Sequence, residues 1–292
     1  MILIDGKKAA EKLKKEIAAE VAEMIDKDIK APHLVAVLVG DDPASQTYVA
    51  SKEKASRAVG ITSSIYRLSA KISEKELLDL IDFLNKDEDV DGFIVQLPLP
   101  EHINVEKIIN RIDYRKDVDG FHPMNVGKMV LGEPSLISAT PQGILFLLET
   151  HKIETKGKNV VVLGRSNIVG TPMSILLSRK AKQGDATVTL CHSRTQNLAE
   201  ITKNADIIIA AIGQPEFLKA DMVKKGVVII DVGMHRIPDE TKKRGYRLTG
   251  DVDFAEVSKK ASHITPVPGG VGPMTIAALL KNTLLAAKNK NE

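Results

Sequence analysis

Tyr48 and Lys52 stand four residues apart in the stretch YVASK. On a helix, residues with that spacing share a face, so a phenol and an amine could reach one substrate together. A lysine can shuttle protons near neutrality only if desolvation or a neighbouring cation depresses its pKa. The alternative is a solvated helix lysine, and the charged neighbours in SKEKASR favour that alternative while the residues alone are weighed. Gln96, in FIVQLPLP, is a lone amide at the end of an otherwise apolar run, and if buried it needs hydrogen-bond partners.

A second chemical signal lies far downstream in NVVVLGRSNIVGTPMS. A buried strand, a tight turn and a helix start follow one another there, the arrangement in which a dinucleotide pyrophosphate rests on backbone N–H groups at a helix N-terminus. The match to Gly-x-Gly-x-x-Gly is incomplete: Gly164 fits, Ser166 replaces the second glycine, and Gly170 comes one residue late. Context favours a nucleotide turn over a purely structural one. The end of the next strand, TLCHSRT, offers Ser193 and Arg194 where an NAD enzyme usually places an acid. A hydroxyl and a guanidinium would bind a ribose phosphate, and Arg165 in the turn adds a second cation, so NADP is expected. Solvated surface arginines are the competing explanation.

The elements that must position these groups alternate. Short apolar runs, HLVAVLV, SSIYRL, DGFIVQL, NVVVLG, ATVTLC, DIIIAAIG and GVVIIDVG, are each followed by a helix-length segment. A parallel sheet covered on both faces requires this pattern, so the fold class is α/β. Between the two groups of strands, the stretch from DYRKD to TPQG at 113–143 reads as irregular, and the domain change is placed near its end. The helix TPQGILFLLETHK is expected to start with Thr140 as N-cap and Pro141 at the first helical position. EDVDGF at 88–93, KDVDGF at 116–121 and GDVDF at 250–254 echo one another, which recurrent Asp-Gly turns before strands would explain. SRKAKQGDA and PDETKKRGYR read as surface loops, the second as a hairpin tip, and the ending KNKNE as frayed.

With 292 residues, 43% of them hydrophobic, the chain has material for two ordinary domains. A net charge of +3 implies neither a nucleic-acid stripe nor an acidic tail. The single cysteine, Cys191, excludes an internal disulfide, no histidine or cysteine pair has zinc-ligand spacing, and the reducing cytoplasm fits best. No metal is expected. The apolar run before Asp5 is too short for a signal peptide and nothing approaches a membrane-spanning length, so a soluble protein without a membrane partner is expected.

Tyr-x-x-x-Lys also marks short-chain dehydrogenases, but there the nucleotide turn precedes it in one domain. Here Tyr48 and Lys52 come long before Gly164, which rejects that family. The stretches VGDDPASQTYVASKEKA, DGFIVQLPLPEHI, KDVDGFHPMNVGK, TPQGI, GRSNIVGTPMS, IIDVGMHR and ITPVPGGVGPMT follow one another along essentially the whole chain. In these stretches and their order it resembles bifunctional methylenetetrahydrofolate dehydrogenase/methenyltetrahydrofolate cyclohydrolase. The resemblance implies a first α/β catalytic domain (1–139 and 273–292, the last helix returning to it), a Rossmann domain that binds NADP (140–272), and a folate site in the cleft between them. It also implies a homodimer associating through the Rossmann domains, and a place in one-carbon folate interconversion that serves purine and amino-acid biosynthesis.

By the same resemblance Lys52 is the proton shuttle of the hydrolytic step, Gln96 bonds to it and to the pterin, and Tyr48 packs against the folate ring. Asp119 corresponds to the pterin-binding carboxylate, a group that matches the fork of a 2-amino group and its adjacent ring N–H. Pro268, Gly269 and Gly270 belong to a loop that lines the cleft, or alternatively forms a rigid hinge. Met234 stands where the family commonly has isoleucine against the nicotinamide side, a change that keeps size and apolarity. Two other classes carry different expectations. An amino-acid or shikimate-type dehydrogenase would show other lysine and aspartate partners, and the motif order argues against it. A non-catalytic dinucleotide-binding protein would not need Lys52, Gln96 and Asp119 to converge.

Overall fold

A computed structural model describes residues 1–242 and 245–291. In chain order its elements are β1 (Ile2–Leu3), α1 (Gly6–Asp26), β2 (His33–Val39), α2 (Pro43–Ala58), β3 (Thr62–Leu68), α3 (Glu74–Lys86), β4 (Gly92–Val95), α4 (Val105–Arg111), α5 (Pro123–Leu131) and α6 (Ala139–Thr150). There follow β5 (Asn159–Leu163), α7 (Gly170–Ser178), β6 (Thr187–Cys191), α8 (Leu198–Lys203), β7 (Ile207–Ala210), β8 (Val228–Asp231), β9 (His235–Pro238), β10 (Tyr246–Thr249), α9 (Phe254–Val257), β11 (His263–Ile264) and α10 (Val271–Asn291). Two compact units emerge, one of Met1–Ala10 with Thr140–Thr275, the other of Glu11–Ala139 with Ile276–Glu292.

The unit built on Glu11–Ala139 has a three-stranded parallel sheet in the order β3-β2-β4. Its central strand β2 is buried at every residue after His33, as the continuous run LVAVLV requires. Leu77, Ile81 and Leu84 recur at helical spacing on α3 and are fully buried with Val35, Val37 and Phe93. Burying each of those leucine and isoleucine side chains stabilises the unit by roughly 1.5–3 kcal/mol. Ser73 and Glu76 close a capping box at the start of α3. The segment expected to be irregular contains α5, which starts with Pro123 in its first turn and a His122 cap, and stops at Gly132 in the left-handed region with φ 77°. Helix α10 is tied in by Asn282, whose Nδ2 donates to the carbonyls of Val118 (2.9 Å) and Ile137 (2.8 Å). The ending expected to fray is helical as far as Asn291.

The other unit carries a six-stranded sheet in the order β1-β11-β8-β7-β5-β6, parallel throughout. The boundaries expected from sequence place 1–139 and 273–292 in the catalytic domain; by contacts Met1–Ala10 group with this sheet, where Ile2 and Leu3 pair with His263 and Ile264 at its edge. Helix α6 begins at Ala139, so Thr140 lies inside it rather than capping it, and its hydroxyl meets that of Thr275 at 3.1 Å. The expected hairpin is formed by β9 and β10, which pair antiparallel. Lys243 and Arg244, within its expected tip, lie outside the described residues.

Candidate active site

Helix α2 positions the amine. Asp42 caps it by accepting from the Ser45 amide at 2.7 Å, Pro43 opens it, and Lys52 and Tyr48 come to one face one turn apart. Lys52 is 4% exposed, so the solvated alternative is overturned. Its Nζ donates to Gln96 Oε1 at 3.2 Å and stands 4.6 Å from the centroid of the Tyr48 ring. Gln96 follows directly on β4; its amide donates to Val37 O at 2.8 Å and its Nε2 to Leu97 O at 2.6 Å. Both ends of the lone amide are therefore engaged, which fixes its oxygen toward the amine.

Asp119 reaches the same group by a different route. Asp117 bridges Phe93 beside β4, and the following loop turns at Gly120, φ 73°, where a Cβ would strike the backbone of Ile137 and Ser138. Burial pushes the Lys52 amine below the ordinary lysine range, with the Asp119 charge opposing. Burial likewise pushes the Asp119 carboxyl up, with the Lys52 charge opposing. Both shifts favour the neutral forms. The result is an amine with an exchangeable proton, an aromatic face and a carboxyl, all within one unit.

The dinucleotide turn lies at the end of β5 in the other unit. Gly164 has φ 103°, and a Cβ there would overlap the Ala211 carbonyl; a Cβ on Gly170 would overlap the Gly164 carbonyl. Glycine is thus demanded at both positions, although the spacing departs from the usual motif. Ser166 Oγ accepts from the Val169 amide at 3.2 Å, and α7 then starts without a side-chain cap. The Gly164 amide donates to Cys191 O at 2.8 Å, which joins this turn to the end of β6, where Ser193 and Arg194 are exposed, as Arg165 is. A cradle free of Cβ atoms, an uncapped helix start and two exposed guanidinium groups suit a dinucleotide with an extra phosphate.

Of the loop residues, Pro268 is exposed, whereas Gly269 and Gly270 are buried against the start of α1. The Lys7 amide donates to Gly269 O at 3.2 Å, and a Cβ on Gly6 would overlap the Gly270 carbonyl. Met234 is 56% exposed, and its Cε lies 3.3 Å from where a Cβ on Gly272 would stand. The reading of GDVDF as a plain turn before a strand fails. It precedes α9, and Asp251 is completely buried and bonded to His235 and to backbone amides. Asp231, at the end of the run GVVIID, is buried beside it. An acid closing an apolar strand was the signal available in the sequence.

These features define a two-unit α/β protein in which one unit is a doubly wound dinucleotide-binding sheet and the other holds a buried lysine site. Residues 4–119 match the model of the tetrahydrofolate dehydrogenase/cyclohydrolase catalytic domain, and residues 138–291 that of the family's NAD(P)-binding domain. The chain belongs to the tetrahydrofolate dehydrogenase/cyclohydrolase family. It is 62% identical over 288 residues to the bifunctional protein FolD of Bacteroides fragilis, covering 99% of this chain and 98% of the relative. Among solved structures it is similar to the FolD methylenetetrahydrofolate dehydrogenase/cyclohydrolase of Campylobacter jejuni (49% identity, TM-score 0.93, 99% of each chain). It is also similar to the Trypanosoma brucei enzyme complexed with NADP cofactor and inhibitor (38% identity, TM-score 0.94, 100% of this chain and 99% of that one).

Proposed function

We propose that the chain is a bifunctional enzyme that oxidises 5,10-methylenetetrahydrofolate to the 5,10-methenyl form with NADP and hydrolyses that product to 10-formyltetrahydrofolate. The observation that carries this is a lysine 4% exposed and held by Gln96, in a chain whose other unit has a glycine cradle for a dinucleotide. When bound, NADP accepts the hydride that leaves the methylene carbon. Gly164, Arg165, Ser166, Ser193 and Arg194 would hold it, and Met234 would offer an apolar side chain to its nicotinamide half.

The first step yields a resonance-stabilised cation and asks little of acids or bases; it asks for fixed geometry. Asp119 accepts from the pterin N–H groups, Tyr48 packs on the ring, and Gln96 and the Pro268–Gly270 loop complete the folate contacts. In the second step water adds to the methenyl carbon. A C–O bond forms as neutral Lys52 takes one proton from the adding water; that proton passes to the ring nitrogen as its C–N bond breaks, and the remaining hydroxyl proton leaves through the again-neutral Lys52 to solvent as the formyl C=O forms. Gln96 keeps the amine aimed through this exchange. The cationic substrate further disfavours a charged lysine, which helps keep Lys52 in its basic form.

The wider setting follows the family: a homodimer associating through the dinucleotide-binding units, in the cytoplasm, where a lone buried thiol stays reduced. Among the described residues no helix is long and apolar enough to cross a membrane. A spectrophotometric assay tests the function. Methylenetetrahydrofolate and NADP should give a rise in methenyl absorbance, and added methenyltetrahydrofolate should be hydrolysed faster than in buffer. Absence of both would refute the assignment.

A further inference from the structure

In a doubly wound sheet the ligand rests outside the carboxyl ends of the strands, so the loops leaving those ends decide what it meets. Two of them, 211–213 after β7 and 232–234 after β8, are held here by a pair of buried carboxylates. Asp231, the last residue of β8, is 3% exposed. Its Oδ1 accepts from the amides of Gly233 (3.0 Å) and Asp251 (2.9 Å), and its Oδ2 from that of Val252 (3.0 Å). Asp251 is fully buried; its Oδ2 accepts from the amides of Ile212 (2.6 Å) and Gly213 (3.0 Å), and its Oδ1 meets His235 Nε2 at 2.7 Å. A Cβ on Gly250 would overlap the Asp231 carboxyl, and one on Gly233 would overlap that of Asp251.

Two acids buried side by side are a costly way to join loops. Burial, with the Asp251 charge adding, pushes the Asp231 carboxyl up to about 7 despite its three amide donors. Neutral or apolar groups of similar size would hold static loops at less cost. What a carboxylate pair supplies is acceptor capacity: three backbone amides from the two loops, Ile212, Gly213 and Gly233, are turned inward onto one charged centre. The outer edge of each loop is thereby set in one shape, with Met234 at its rim.

We infer that Asp231, Asp251 and His235 are positioning residues for the dinucleotide, holding loops 211–213 and 232–234 in the form that receives its nicotinamide half. This rests on the NADP-linked reading above. None of the three needs to touch the cofactor; they act through the backbone they hold.

The test uses the full chain with Asp251→Asn and His235→Ala, measuring amide hydrogen exchange without cofactor, NADPH affinity by fluorescence titration, and both activities. Asp251→Asn should speed exchange at Ile212 and Gly213 at least about tenfold, because its amide oxygen can face both donors but without the charge that strengthens each bond. It should also weaken NADPH binding about tenfold and lower dehydrogenase turnover, with hydrolysis of methenyltetrahydrofolate, assayed without cofactor, within about twofold of wild type. His235→Ala removes one bond at a side chain 21% exposed and should act in the same direction by a smaller factor. Unchanged NADPH affinity in His235→Ala, or equal loss of both activities, overturns the inference, and His235→Ala decides alone if the other variant does not fold. Failure of the wild-type chain to bind NADPH at all would instead sink the dinucleotide reading.

Discussion

Lys52 and Gln96 meet at 3.2 Å, the amine donating to an amide oxygen whose own nitrogen is tied to the Leu97 carbonyl. One neutral acceptor and a tyrosine face replace the water that would surround a surface ammonium, and the proton is held loosely as a result.

Removal of the amine should separate the two activities. Lys52→Ala is expected to lower methenyl hydrolysis by about 10²–10³-fold, the range of a positioned proton carrier, and to lower oxidation by less than about tenfold. Lys52→Arg keeps the charge but cannot release its proton, so it should fail in hydrolysis as alanine does. Steady-state rates of both steps on one preparation decide; equal retention of both would remove Lys52 from the proton path.

Gln96 is the hydrogen-bond acceptor of an amine whose pKa burial lowers and the Asp119 charge raises, so a change of charge at position 96 should shift that balance. A carboxylate in its place, Gln96→Glu, would pair with the ammonium and raise the Lys52 pKa. Hydrolysis needs the neutral amine and rises as pH climbs through that pKa, so its pH–rate limb should move up by about one unit or more. Gln96→Leu should move the limb down and cost about 1–3 kcal/mol of stability, because it leaves a buried donor without its acceptor. An unmoved limb in both variants would show that Gln96 does not tune Lys52.

Cofactor choice should follow the exposed cations. Arg194→Ser removes a guanidinium from the turn after β6 and is expected to raise KM for NADP about tenfold while leaving that for NAD nearly unchanged; Arg165→Ser should do the same less strongly. The NADP advantage should also shrink at high ionic strength, since both groups face solvent. A parallel rise in KM for both cofactors would mean that the arginines do not read the phosphate.

The central strands were legible because each is a continuous apolar run, and β2, β5 and β7 fall where HLVAVLV, NVVVLG and DIIIAAIG stand. Two-residue strands leave no such trace. β1 is Ile2 and Leu3, both exposed at a sheet edge, and only a partner more than two hundred residues away gives it a place. α5 did carry local signals, Pro123 at its start and Gly132 at its end, but the surrounding glycines and prolines outweighed them. Lys52 shows the same limit in the site: charged neighbours face outward on α2 while this one side chain turns in, and no local pattern separates it from them. The buried partnership of Asp251 with His235 was likewise set by tertiary contact, not by the turn it resembled.

Asp117, eight residues before Asn125, gives the fold a pH dependence of its own. It is 2% exposed; its Oδ2 accepts from the His122 amide at 2.7 Å and from Asn125 Nδ2 at 3.1 Å, and burial, helped by the Asp119 charge, pushes its carboxyl up to about 6. The folded state therefore prefers the protonated acid. That preference contributes fully below the unfolded value of 3.8, fades as pH rises through about 6, and is absent above it. The shift of about two units corresponds to roughly 2–3 kcal/mol. Asp117→Asn offers an oxygen to both donors and does not titrate, so its stability should fall less between about pH 4 and pH 7, by roughly that amount. Asp231 titrates in the same window, which makes the difference between the variant and wild-type curves, not the wild-type slope, the quantity to read from urea denaturation. Two parallel curves would show that Asp117 ionises alike in the folded and unfolded chain, and that the loop carrying Asp119 is held by something other than this acid.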